Sequence, residues 1–172
     1  MTLDEPIQIV DHDPRWPEDY RADAAEIEVA LAAWSPTLEH FGSTSVPGLA
    51  AKPIIDILVG LEQWPMVKGV PNALGALGYE YFGEAGVPGR EYFRRRRFHD
   101  TNVAVVEYRA QLWNDNVLLR DYLRAHPTVA AAYARAKKQA WLDGARTLLA
   151  YSEAKASEMT TLIARARRWG AG

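Results

Sequence analysis

The stretch that decides the fold is His40-Phe41-Gly42-Ser43-Thr44-Ser45-Val46-Pro47-Gly48-Leu49-Ala50-Ala51-Lys52-Pro53-Ile54-Ile55-Asp56-Ile57-Leu58-Val59. Two apolar runs flank a segment of glycine, small hydroxyl residues, one cation and one carboxylate. That order reads as a strand, a tight loop and a second strand. Pro53 to Val59 is β-branched and apolar, bounded by Gly60 and interrupted by Asp56. A lone carboxylate in such a strand is costly when buried without partners, so Asp56 is expected in a cleft, beside a cation or at a strand end. Gly42-Ser43-Thr44-Ser45 has two readings. One is a polyphosphate cradle of backbone N–H groups and hydroxyls at a helix N-terminus. The other is an ordinary strand-to-helix turn in which Ser45 caps a short helix. Lys52 and Asp56 likewise read as an ion pair at a strand entrance, or as an anion clamp beside a metal ligand or general base.

On the N-terminal side, Leu38 to Phe41 forms the first strand, and Ile7-Gln8-Ile9-Val10 is a short apolar segment closed by Asp11-His12-Asp13-Pro14. Trp16-Pro17-Glu18-Asp19 opens a helix with proline in the first turn and acids at the positive end of the dipole. Tyr20, Ala24, Ile27 and Leu31 recur at helical spacing and face a core, leaving Arg21, Asp23, Glu26 and Glu28 turned mainly to water. Pro36 ends this helix near Trp34-Ser35.

On the C-terminal side, the periodicity predicts a helix within Pro65 to Leu77, a strand over Tyr79 to Phe82, and a glycine-rich loop from Gly83 to Gly89 without P-loop spacing. Glu91 to His99 and Thr101 to Tyr108 read as a hairpin joined at Asp100. Alternation sends Arg94 and Arg96 to one face and Arg95 and Arg97 to the other, so at least one pair must meet acid, phosphate or water. From Trp113 the pattern is helical. One stripe runs through Leu118, Leu119, Tyr122 and Leu123. A second helix capped by Thr128 continues through Tyr133 toward Trp141, and a third runs from about Thr147 to Trp169. Tyr151 and Lys155 stand one turn apart and share a face. The expected organisation is an α/β core over residues 1–112 with a helical segment, 113–172, packed on it.

Composition narrows the partners. At 172 residues and 48% hydrophobic content the chain supports one well-formed core. A net charge of -2 gives no global pull toward nucleic acid. Without cysteine there is neither a disulfide framework nor a thiolate metal site, and the four histidines lack close ligand spacing. The acidic N-terminus lacks a secretory pattern, and no apolar run reaches the ~18 residues of a membrane span. A cytoplasmic protein is expected, with its oligomeric state open.

Four blocks carry a resemblance: Asp13-Pro14-Arg15-Trp16-Pro17, the stretch from Glu39 to Ile57, Arg120-Asp121-Tyr122-Leu123-Arg124-Ala125-His126-Pro127, and Tyr151-Ser152-Glu153-Ala154-Lys155. In this order they resemble the GrpB family. The resemblance implies a nucleotidyltransferase-like α/β fold, related to a domain fused to some dephospho-coenzyme A kinases. In active enzymes of that fold a Gly-Ser turn holds the triphosphate, and two carboxylates one residue apart on the next strand hold a divalent metal with a third from a later strand. Gly42 and Ser43 match the turn and Asp56 the first carboxylate. Leu58 stands at the second, and Glu107 is the candidate for the third. Where relatives commonly show a His-x-His pair, this chain has Asn102 and Ala104.

The expected ligand is therefore a nucleotide or another phosphorylated molecule. Gly42, Ser43, Thr44, Ser45, Lys52, His40, Arg94, Arg96, Tyr151 and Lys155 are the candidate binding residues, with Asp56 and Glu107 holding Mg²⁺ for nucleotidyl or related group transfer. Two alternatives use the same cleft. One is a noncatalytic ligand-sensing or partner-binding module, which Leu58, Asn102 and Ala104 favour; the other is a ligase or transferase acting on a carboxylate substrate.

Overall fold

Every residue of β2 (Ile54–Leu61) except Asp56 is buried, because this strand lies inside a five-stranded sheet covered on both faces. The structure is a computed structural model that describes residues 3–172. Met1 and Thr2, the start of the acidic N-terminal stretch, lie outside them. The sheet order is β1-β2-β5-β4-β3. β1 (Thr37–Phe41) runs antiparallel to β2, which runs parallel to β5 (Asp100–Glu107). β4 (Arg90–Arg96) pairs antiparallel with β5 as the hairpin expected, and β3 (Glu80–Tyr81) forms the edge.

Period-two alternation divides the strands between two different surroundings. On one face Ile55, Ile57, Val59, Phe93, Val103 and Val105 pack beneath α1 (Trp16–Ala30) and α2 (Gly69–Ala76), through Ile27, Leu31, Val70 and Leu74. Each such side chain contributes roughly 1.5–3 kcal/mol when fully buried, which makes this the main core. On the other face Leu58, Ala104 and Val106 lie under Trp113 of α3 (Gln111–Ala125). A Cβ on Gly60 would come within 2.7 Å of that indole, so glycine lets the helix lie close to β2.

Three more helices complete this second layer: α4 (Pro127–Leu142), α5 (Leu148–Ala154) and α6 (Ala156–Gly170). Leu119, Tyr122, Leu123, Tyr133 and Leu162 bring α3, α4 and α6 together over Val46 and Leu49. Among the described residues no helix is long and apolar enough to cross a membrane.

Several expectations change. The first helix stops at Ala30, and Ala32–Trp34 is a separate 3-10 turn ending in Ser35 at φ 46°. Asp23, expected toward water, is buried, since it lies three residues after Tyr20 and four before Ile27 and so shares their face. Thr128 caps nothing; Pro127 opens α4 with its fixed φ. The long last helix is interrupted at Lys155, giving α5 and α6. The short apolar segment Ile7 to Val10 lies between two isolated bridges, Pro6 to Thr147 and Val10 to Ala51.

Candidate functional site

The site begins where β1 ends. Gly42 has φ 70° and ψ -170°, a conformation open to glycine alone, and a Cβ there would sit 2.7 Å from Asp56 Oδ2. The antiparallel register puts Phe41 opposite Asp56, which brings the turn against the carboxylate. Ser43–Ser45 is one 3-10 turn, after which Val46 is extended, so the helix expected here is only a turn long. The Ser45 hydroxyl donates to Gly42 O at 2.6 Å rather than capping a helix. Arg124 of α3 donates to Ser45 O at 3.0 and 2.8 Å and fixes the turn from outside.

His40 does not enter the cleft. It points into the opposite layer, opposite Ile57 in register, stacked on Tyr20 at 4.7 Å. Burial lowers its pKa to about 4, and its Nε2 meets Thr44 Oγ1 at 3.0 Å. A neutral imidazole thus braces the turn from behind.

Three lysines converge around this turn. Lys52 Nζ lies 3.2 and 3.3 Å from the two oxygens of Asp56. Lys137, from α4, is buried behind Ser43 and donates to Ser43 Oγ at 2.8 Å and Ala50 O at 2.7 Å, with the Tyr133 ring 4.7 Å away. Burial, followed by the charges of Lys155 and Lys52, lowers its pKa to about 7, against the pull of Asp56. Lys155 sits at the break between α5 and α6, 4.8 Å from the Tyr151 ring; burial, then Lys52, lowers it to about 8. The Ser43 hydroxyl is thus engaged from behind, by Lys137 and by a hydrogen bond with Tyr133.

A cavity of about 600 Å³ opens in front of these groups, lined by Gly42, Ser43, Thr44, Lys52, Asp56 and Lys155 among others. Arg90 lines it too, and donates to the carbonyls of Glu84 (3.3 and 3.2 Å) and Ala85 (2.9 Å), which anchors the glycine-rich loop as one wall. Arg120 lines another side, but Glu39 at 2.6 Å and Asp121 at 2.8 Å balance its charge. Leu119, Leu123, Leu149 and Met159 supply an apolar wall.

The remaining expected residues are placed differently. Tyr151 and Lys155 share the cleft, Tyr151 being almost fully buried. Arg94 and Arg96 lie on the cleft side of the sheet but outside its lining, engaged with the N-terminal segment. Arg94 pairs with Glu5 at 3.3 Å and donates to Leu3 O at 3.1 Å. Arg96 pairs with the same glutamate and donates to Asn102 Oδ1 at 3.0 Å. That last bond turns the Asn102 amide so that its Nδ2 donates to Asp56 Oδ1 at 2.7 Å.

Glu107 and Asp56 do not meet. The parallel register sets Asp56 beside Asn102 and Glu107 beside Leu61, five residues further along β5, or about 16 Å. The odd spacing also turns Glu107 to the other face, where it is exposed beside Trp64 and Leu112. Leu58 is fully buried among Ala104, Val106 and Trp113. Among the described residues no group of three histidine, cysteine or carboxylate side chains is arranged to hold a metal. Mg²⁺ needs several hard oxygens, whereas Asp56 stands as one carboxylate already paired with an ammonium and an amide; these residues do not fit the ion.

Arg90, Asn102, Arg120 and Lys137 were not among the expected site residues. Lys137 left a trace in the sequence, standing four residues after Tyr133 and seven after Ala130 on the apolar stripe of its helix. Asn102 stood out only as a departure from the family's His-x-His pair and Arg120 only as part of a resemblance block, while Arg90 carried no signal.

The fold has counterparts. A mutant Cid1 poly(U) polymerase bound to MgATP shares the fold at TM-score 0.51 and 14% identity, over 76% of this chain and 45% of that one. A 77-residue stretch is 32% identical to dephospho-CoA kinase of Mycobacterium bovis, covering 43% of this chain and 19% of the kinase. The UPF0157 protein YqkA of Bacillus subtilis is 32% identical over 169 residues, 96% of this chain and 49% of YqkA, so the chain spans about half the length of that relative. The crystal structure of conserved protein GrpB from Enterococcus faecalis superposes at TM-score 0.85 with 31% identity, over 94% of this chain and 99% of that one. With the GrpB protein family model matching residues 6–165, sequence and architecture agree that this chain, built on a nucleotidyltransferase-like fold, belongs to the GrpB family.

Proposed function

We propose that this chain binds a phosphorylated small molecule, a nucleotide being the best fit, in the cleft beside the Gly42–Ser45 turn. The observation that carries this reading is the clustering of cations at one cleft: Lys52, Lys155 and Arg90 line it, Lys137 holds Ser43 from behind, and Asp56 is the nearby acid. Cations held this close repel one another, and burial strips them of water. An anion in the cleft relieves both costs.

The apolar wall formed by Leu119, Leu123, Leu149 and Met159 suits a base or another apolar body more than it suits bare phosphate. A volume of about 600 Å³ accommodates a ligand of that size. Lys52 and Lys155, which line the cleft, are the groups that would meet phosphate oxygens, with Lys137 charging the turn from behind. Mg²⁺ forms no part of this reading, and neither does nucleotidyl transfer, because the donor set at Asp56 does not fit the metal.

Isothermal titration calorimetry with a panel of nucleoside triphosphates and with inorganic tripolyphosphate tests the reading. The nucleotides should bind more tightly than tripolyphosphate, and Lys155→Met should weaken both. Absence of heat from every member of the panel would refute it.

A further inference from the structure

We propose, resting on the phosphorylated-ligand reading above, that the cleft takes its ligand without a divalent cation: Lys52 stands on Asp56 where the nucleotidyltransferase-like fold would place a metal ion.

The Asp56 carboxylate is satisfied from three sides. Lys52 Nζ spans both oxygens at 3.2 and 3.3 Å. Asn102 Nδ2 donates to Oδ1 at 2.7 Å and is itself aimed by Arg96, which is held by Glu5. The Cα of Gly42 closes in on Oδ2, where even a methyl group would be within 2.7 Å. A metal would have to displace the ammonium, and it would then find no second carboxylate, because Leu58 is sealed under Trp113 and Glu107 lies at the far end of β5.

Electrostatics point the same way. In a metal-dependent site clustered carboxylates create negative charge, and the cation joins it to an anionic substrate. Here Lys52, Lys155 and Arg90 line the cleft with Lys137 behind it, so positive charge is already present and faces the ligand. A divalent cation would add like charge to a cationic wall. The ammonium of Lys52, held in place by Asp56, bridges carboxylate and phosphate in its stead. Asp56 therefore positions a cation; it does not ligate one.

The wild-type protein gives the test, by calorimetric titration with ATP and with tripolyphosphate in EDTA and again in excess Mg²⁺. Binding in EDTA should be at least as tight as in Mg²⁺, by about threefold for tripolyphosphate, because Mg²⁺ neutralises charge that the lysines read. Tenfold or greater tightening by Mg²⁺ would overturn this inference while leaving the phosphorylated-ligand reading intact. Failure to bind in either medium would overturn both.

Asp56→Asn supplies a second arm. It keeps the shape but removes the charge that holds Lys52, so affinity should fall by the same factor in EDTA and in Mg²⁺; a loss of tenfold or more confined to the Mg²⁺ titration, with the fold intact by circular dichroism, would count against the inference. Mn²⁺ added to the protein–ATP complex should produce no water-proton relaxation enhancement beyond that of MnATP alone, and a protein-dependent enhancement abolished by Asp56→Asn would defeat it.

Discussion

Two aspartates on opposite faces of the sheet show how the same pair of residue types serves different ends. Thr101 and Asn102 are consecutive on β5 and point to opposite sides, and each hydrogen-bonds to an aspartate: Thr101 to Asp23, Asn102 to Asp56. Asp23 is buried on the inner face of α1, paired with Arg95, which also reaches Glu26 at 2.9 Å; His99 lies 2.9 Å from Asp23. There one guanidinium and one imidazole face two carboxylates, and the large cavity lies on the other side of the sheet. Asp56 pairs with Lys52 at the edge of a cavity, beside further cations that its single charge does not offset. An ion pair in a buried, balanced network holds the fold, whereas an ion pair within an unbalanced, open one marks a place for a ligand.

The largest effect should come from breaking the balanced side. Arg95→Met leaves Asp23 buried without its guanidinium and should cost about 3–5 kcal/mol of folding stability, read from the urea midpoint. Ligand affinity of the folded fraction should not change; a loss of affinity would mean that the two faces are coupled. Gly42→Ala comes next, at about 1–3 kcal/mol, because φ 70° is strained for alanine and its Cβ displaces Asp56. Unlike Arg95→Met, it should also weaken ligand binding, and calorimetry on the folded variant decides that.

Lys137→Met sharpens the contrast in the other direction. Removing a desolvated charge of similar shape should leave stability level or raise it, while nucleotide affinity falls about tenfold. Equal losses of both would make Lys137 a structural cation like Arg95.

The pH dependence has two opposite signs. Lys137 falls from 10.5 to about 7 in the folded chain, so between those values the unfolded chain binds more protons and stability of the free protein rises with pH. Over the same rise, Lys137 and Lys155, at about 7 and about 8, lose the charge that attracts an anion, so nucleotide affinity should fall. Calorimetry and urea melts across pH 6 to 9, on the order of one unit either side of those values, measure both. A flat affinity profile would remove these lysines from ligand binding. The smallest effect belongs to Glu107→Gln, which should alter stability and affinity by no more than about 0.5 kcal/mol, as an exposed residue outside the cleft. A tenfold change in affinity would place the ligand elsewhere.

Much of this was legible in the chain. The stretch around Asp56 required a cleft or a cation for its carboxylate, and it has both. Alternation along β4 correctly separated Arg94 and Arg96 from Arg95. It did not reveal that Arg94 and Arg96 would be occupied by Glu5, about ninety residues earlier in sequence. Glu107 was a plausible metal ligand by residue type and by its place near a strand end. Its distance from Asp56 follows from the β2–β5 register, which no local pattern encodes.

By itself, the sequence determined the strands, the turn and the lone carboxylate, because period-two alternation, glycine and β-branched residues act over a few neighbours. The resemblance to the GrpB family added that Leu58 stands where a second carboxylate is expected. Tertiary structure alone decided which charges stand together. The packing of α4, α5 and α6 on the sheet brings Lys137 to Ser43 and Lys155 to the cleft that Lys52 lines, and Asn102 reaches Asp56 through a parallel register. Burial and mutual repulsion, which lower the pKa of Lys137 and Lys155, exist only once distant segments have excluded water from around them.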